Sequence, residues 1–150
     1  MSTDSDLIKL YSTRILGLAA DIPHRDRLDA PDATAKRRSP LCGSTITVDV
    51  VMTNGVITEF AQDVKACALG QAAAAVVGHN ILGRTEAEVQ KGHDELLEML
   101  KFSGPVPSAP FDGLEVLGPA AEYKNRHMSI MLAFDATLEA LAAAHDSKSA

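Results

Sequence analysis

The chain has 150 residues, 46% of them apolar and only 4% aromatic with no tryptophan, so it can bury a core of Ala, Val, Leu, Ile and Met, and global disorder is excluded. Its formal net charge of −6 argues against nucleic acid as the main partner, because phosphate binding needs a basic surface. Acids stand in Met1-Ser2-Thr3-Asp4-Ser5-Asp6 where a secretory leader carries Lys or Arg, and no apolar run reaches the ~20 residues of a spanning helix, so the expectation is a cytoplasmic protein of one domain, residues 1–150, that does not engage a membrane.

A first helix is expected from about Asp6 to Ala19, with Ser5 as N-cap and Leu7, Tyr11, Ile15 and Leu18 as its apolar stripe. Residues 21–40 contain Pro23, Pro31 and Pro40 among many charges and read as an extended linker, with Lys36-Arg37-Arg38 as a solvated basic loop. Thr45 to Asp49 alternates, with Ile46 and Val48 on one face, and Asn54-Gly55 supplies a hairpin turn because both residues tolerate positive φ. A second strand begins at Val56-Ile57 and runs towards Phe60, and Asp63 to Ala66 forms a third short strand.

A helix opens at Cys67, its alanine-rich body from Ala68 to Val77 suited to close packing, with Gly78 and Gly83 around its end. Thr85 and Glu88 have capping-box spacing, and the helix behind them points Val89, Leu96 and Leu100 inward. After a Pro- and Gly-rich stretch with a short element near Phe111 to Leu117, a last helix runs from about Ser129 to Ala144, burying Leu132, Leu138 and Leu141, with residues 145–150 fraying. Strands followed by helices define an α+β fold: a small three-stranded antiparallel sheet with helices packed on one face.

The chemistry-bearing residues are two cysteines. Cys42 lies in Ser39-Pro40-Leu41-Cys42-Gly43-Ser44, a turn at the mouth of a strand. Cys67 begins a helix, where unpaired N–H groups favour the thiolate, the form that binds metal or attacks. In a reducing compartment such a pair serves as metal ligands, reactive thiols or small buried residues, and its spacing alone does not choose among them. Asp49 and Asp63 are acids that could face such a site, His79 suits a capping or surface role, and His93 and His145 are not site candidates. No G-x-S-x-G elbow, H-E-x-x-H pair or P-loop is present, so a hydrolase is not expected and the protein is read as a non-enzyme.

Taken together, these segments resemble the NifU/IscU/SufU-type iron–sulfur cluster assembly scaffolds. Ser39 to Ser44 resembles the family's P-x-C-G-D motif, Val64 to Ala73 its G-C-x-x-x-x-A-S helix start, and Gly83-Arg84 its glycine-basic turn. Pro23-His24-Arg25 resembles an N-P-K segment, and Arg126 to Ala133 the R-x-K-C-x-x-L-A of SufU-like members. The likeness spans nearly the whole chain and implies the same α+β scaffold fold.

Three family positions differ: the aspartate falls on Ser44, the third cysteine on Ser129, and the basic or histidine position before it on Met128. The L-P-P-V-K stretch of IscU proteins is absent. Ser129 itself reads as the N-cap of the last helix. What the resemblance implies is a scaffold that holds iron or a nascent [2Fe–2S] cluster on Cys42 and Cys67, with His127 or a partner's ligand completing the set. It also implies a cysteine desulfurase and recipient apoproteins as partners, and a possible homodimer through a bridging cluster. The alternatives are a zinc-dependent sulfur acceptor of SufU type and a metal-free interaction module built on the same fold.

Overall fold

The structure is a computed structural model that describes residues 13–41 and 43–149. Residues 13–19 form helix α1. Three strands follow, β1 (Ala33–Arg38), β2 (Thr45–Thr53) and β3 (Val56–Lys65), then helices α2 (Ala68–His79), α3 (Glu86–Phe102) and α4 (His127–Ser149). Two 3-10 segments, Asp112–Glu122 and Lys124–Arg126, lead into α4. The sheet is antiparallel with order β1-β2-β3.

The hairpin between β2 and β3 forms because Asn54 and Gly55 take φ of 54° and 84°, the left-handed pair that matches strand twist. A register shift at Val51/Met52 bends β2. Ile46, Val48 and Val50 alternate onto the inner face and are fully buried. Helix α4 lies across β1 and β2 on that face, and α2 and α3 pack against α4. The helices thus cover one side of the sheet, as the element order predicts. Its inner turns bring Ile130, Leu132, Phe134 and Leu141 into the same core.

Several local readings change. The linker contains a strand: β1 includes Lys36-Arg37-Arg38, which are exposed residues of an edge strand and not a loop. Charged side chains on an edge strand discourage pairing with another chain. The second and third expected strands are one continuous strand, β3, because Ala61 and Gln62 pair with Asp49 and Val48 without interruption. The 3-10 segment at Asp112–Glu122 is longer than the element expected there. Helix α4 starts two residues before Ser129 and continues to Ser149, past the expected fraying point.

The Thr85 capping box is present: Thr85 Oγ1 accepts from the Glu88 N–H at 3.1 Å, and Glu88 Oε1 accepts from the Thr85 N–H at 3.0 Å. Val89, Leu96 and Leu100 are buried, as the pattern predicts. Leu7, Tyr11 and the Ser5 cap lie outside the described residues, while Ile15 of the same stripe is buried. Residues Lys124–Asp146 are long and apolar enough to cross a membrane, but 67% of an apolar 18-residue window within them is buried inside the fold, which makes it a core helix.

The outer face of the sheet is held down by one carboxylate. Asp49 is completely buried there and accepts four hydrogen bonds. They come from Arg27 Nε at 2.6 Å, Arg27 Nη2 at 3.0 Å, the Leu28 N–H at 3.1 Å and Thr34 Oγ1 at 2.6 Å. Burial pushes its pKa up, but these bonds and the Arg27 charge outweigh that and hold it below the ordinary value. Asp49 therefore fastens the stretch before β1 to the sheet and does not face the cysteines' end as a ligand.

Candidate functional site

Three elements converge at Ser44, Cys67 and Ser129. The β1–β2 turn is closed by the Ser39 N–H donating to the Ser44 carbonyl and the Gly43 N–H donating to the Ser39 carbonyl, both at 2.8 Å. It delivers Ser44 to the start of α2. The Cys67 N–H approaches Ser44 Oγ at 3.4 Å, and Ser129 Oγ, from the first turn of α4, donates to Ser44 Oγ at 2.9 Å. Ser44 and Ser129 are buried, whereas Cys67 is partly exposed. Residues 44, 67 and 129, far apart in sequence, thus form one cluster.

Gly70 makes the approach possible. A Cβ on Gly70 would stand 3.0 Å from the Ser129 carbonyl oxygen and 2.9 Å from Ala66 Cβ, so a side chain there would push α2 off α4. Cys67 is the N-cap of α2 with extended backbone (φ −65°, ψ 168°) and no side-chain cap bond, leaving first-turn N–H groups beside its thiol. Gln71 Nε2 donates to the Ala66 carbonyl at 2.8 Å and steadies the strand-to-helix turn.

Ser129 is not the N-cap expected of it. It sits inside α4, and its hydroxyl points into the cluster as a donor to Ser44. Cys42 lies outside the described residues; its neighbours Leu41 and Gly43 belong to the turn that ends at Ser44. His127 opens α4 and is almost buried, its Nε2 3.0 Å from the Ala121 carbonyl. A carbonyl can only accept, so Nε2 is the donor in this contact, and Nδ1 takes no part in it. Among the described residues, no three His, Cys, Asp or Glu side chains come close enough to hold a metal ion. Cys67 is the one soft donor in the cluster; serine hydroxyls that are buried and bonded to each other are poor ligands for soft metals.

The remaining histidines and acids fall elsewhere. His79 meets Asp21 at the end of α2, through the backbone carbonyl at 2.9 Å and Oδ2 at 3.2 Å, in keeping with a surface role. Asp63 is exposed on β3. His93 is more than a mid-helix surface residue: it joins α3 to α4, with Nε2 3.1 Å from Asp135 and Nδ1 2.9 Å from Asp94. Sequence reasoning also missed Ser39, whose buried Oγ has no partner among the described residues. Nothing in the one-dimensional pattern marks it.

An antiparallel three-stranded sheet backed by helices, with a cysteine at the strand-to-helix turn against the first turn of the last helix, defines an α+β scaffold with a thiol site at one end. The N-terminal region of a nitrogen-fixing NifU-like protein from Brucella abortus has this structure. It is 41% identical to the present chain, over 89% of this chain and 92% of that one, with a TM-score of 0.86. The chain belongs to the NifU-like family. A SUF-system protein from Fervidobacterium islandicum AW-1, described as an iron–sulfur cluster assembly scaffold, shares the fold at 16% identity and TM-score 0.75, covering 85% of this chain and 93% of that one. A third solved chain, described as a hypothetical protein, shares it at 23% identity and TM-score 0.78, covering 89% and 98%. No protein-family model matches the chain, and comparison with curated proteins gave no match.

Proposed function

We propose that this protein is an iron–sulfur cluster assembly scaffold that binds iron or a nascent cluster, its cargo, through Cys42 and Cys67. It acts as a carrier and not as an enzyme, receiving sulfur from a cysteine desulfurase and passing the cluster to apoproteins. The carrying observation is the convergence of residues 44, 67 and 129 at one end of a NifU-like fold, with Cys67 partly exposed at a helix start.

The two serines limit what one chain can offer. Ser129 spends its proton on Ser44 and is fully enclosed, so the thiolates available are those of Cys42 and Cys67. A cluster needing four thiolates then draws two from a second copy or from a partner. Exposed Leu41 and Met128, chain neighbours of Cys42 and Ser129, supply apolar contact for that association.

The Nε2 contact of His127, which does not involve Nδ1, favours a second reading, in which Cys42, Cys67 and His127 hold zinc with one open position and the protein accepts sulfur. Anaerobic purification, with iron, zinc and acid-labile sulfide analysis before and after reconstitution, separates the two. Iron with matching sulfide, lost in Cys42→Ser and in Cys67→Ser, is the expected result. Zinc without sulfide moves the assignment to the second reading, and equal metal in wild type and both variants defeats the cysteine assignment.

A further inference from the structure

Beyond Gln62, towards Cys67, the outer edge of β3 has no strand partner among the described residues. In the β2–β3 ladder Val48 faces Gln62 and Ile46 faces Val64. The Gln62 N–H points away from β2, because it donates to the His24 carbonyl at 2.8 Å. Backbone direction alternates along an antiparallel ladder, so Val64, two residues on, also turns its N–H and C=O to the outer edge. No partner for the Val64 N–H, the Val64 carbonyl or the Gln62 carbonyl occurs among the described residues. The run of free groups ends at Ala66, whose carbonyl is taken by Gln71.

These groups open into a cleft of about 470 Å³ lined by Gln62, Asp63 and Val64 of β3, by Arg25 and Asp26, and by Gln71. That volume lies within the roughly 300–1,000 Å³ of ordinary ligand sites. Its walls carry one cation, Arg25, against two anions, Asp26 and Asp63. Gln71 stands one helical turn beyond Cys67, its N–H bonded to the Cys67 carbonyl at 2.9 Å, so an occupant of the cleft would sit beside the thiol-bearing turn.

We propose that this cleft binds an extended, basic peptide segment of a partner protein, which continues the His24 pairing by adding a short strand to β3 at Gln62 and Val64. The occupant is a peptide because the unmet groups are a donor and two acceptors at strand spacing, which a guest backbone satisfies in order. It is basic because a lysine or arginine across from Asp63 answers the net negative wall. This holds whichever metal the cysteines bind.

The test uses the full chain, labelled with nitrogen-15, and the blocked hexapeptide Lys-Val-Lys-Val-Lys-Val. At a peptide concentration ten times its dissociation constant, the Val64 amide should exchange about tenfold more slowly. Asp63→Lys, an exposed change, should weaken binding, and Val64→Pro, which deletes the edge donor, should remove it. A copy of the peptide with N-methylated backbone should not bind. Three results overturn the proposal: a Val64 amide already protected without peptide, no protection at about 1 mM peptide, or unchanged binding in a folded Asp63→Lys variant.

Discussion

Ser129→Ala removes the hydroxyl that ties the last helix to the β1–β2 turn. In the native fold that hydroxyl is fully enclosed and donates to Ser44 Oγ at 2.9 Å. The loss of one buried neutral hydrogen bond costs about 1 kcal/mol. Ser44 Oγ is then left with only the long contact from the Cys67 N–H at 3.4 Å, a poorly satisfied buried oxygen. Together these come to about 2 kcal/mol, which for a chain of this length lowers the melting temperature by about 4–8 °C. Urea unfolding of wild type, Ser129→Ala, Ser44→Ala and the double variant measures the coupling directly. The two hydroxyls share one bond, so the double variant should be less destabilised than the sum of the singles, by about 1 kcal/mol. Additivity within about 0.3 kcal/mol would refute the bond as a unit of stability. Metal content gives a second readout: it should be the same in Ser129→Ala as in wild type, and its loss would refute the statement that Ser129 is a lock and not a ligand.

Two further predictions concern charged groups. Asp49→Asn should cost about 3 kcal/mol, the lower end for breaking a buried ion pair because Arg27 is half in water; a loss below about 1 kcal/mol, as at ordinary surface sites, would contradict the clamp. The Asp49 pKa is held below its unfolded value of 3.8, so its contribution is present above that pH and falls away as pH drops through the native value, which acid unfolding curves of wild type and Asp49→Asn should show. His93 behaves oppositely: its hydrogen bond to Asp135, against the effect of burial and helped by Asp94, raises its pKa above 6.5. Its stabilisation is complete below pH 6.5 and is lost as pH rises through the native value. A proton NMR titration should place the His93 midpoint above 6.5 in wild type and lower in Asp135→Asn; a wild-type midpoint below 6.5 would reject the bridge.

Local signals were legible where the cause is local. The Asn54-Gly55 turn and the Thr85-Glu88 capping box follow from the φ tolerance of two residues and from side-chain reach across three. Strand β1 was not legible, because Ala33–Arg38 lacks an apolar alternation: only Ala35 is buried, and the segment is a strand because β2 offers it a ladder. From the sequence, one strand ends near Phe60 and another starts at Asp63, leaving Ala61 and Gln62 between them unassigned. Both are in fact buried, Gln62 with its amide donating to the carbonyls of Pro23 and Ala74.

The sequence by itself determined the α+β class, the hairpin, the helix starting at Cys67 and the resemblance that named the family, since each depends on spacing within a segment. The tertiary structure alone decided what Ser44 and Ser129 do. Ser44 and Ser129 are separated by 85 residues, and no periodicity relates them. Their hydroxyls meet because α4 lies across the sheet and Gly70 lets α2 close against it. A hydrogen bond between two buried oxygens depends on that approach, and it makes both hydroxyls part of the core.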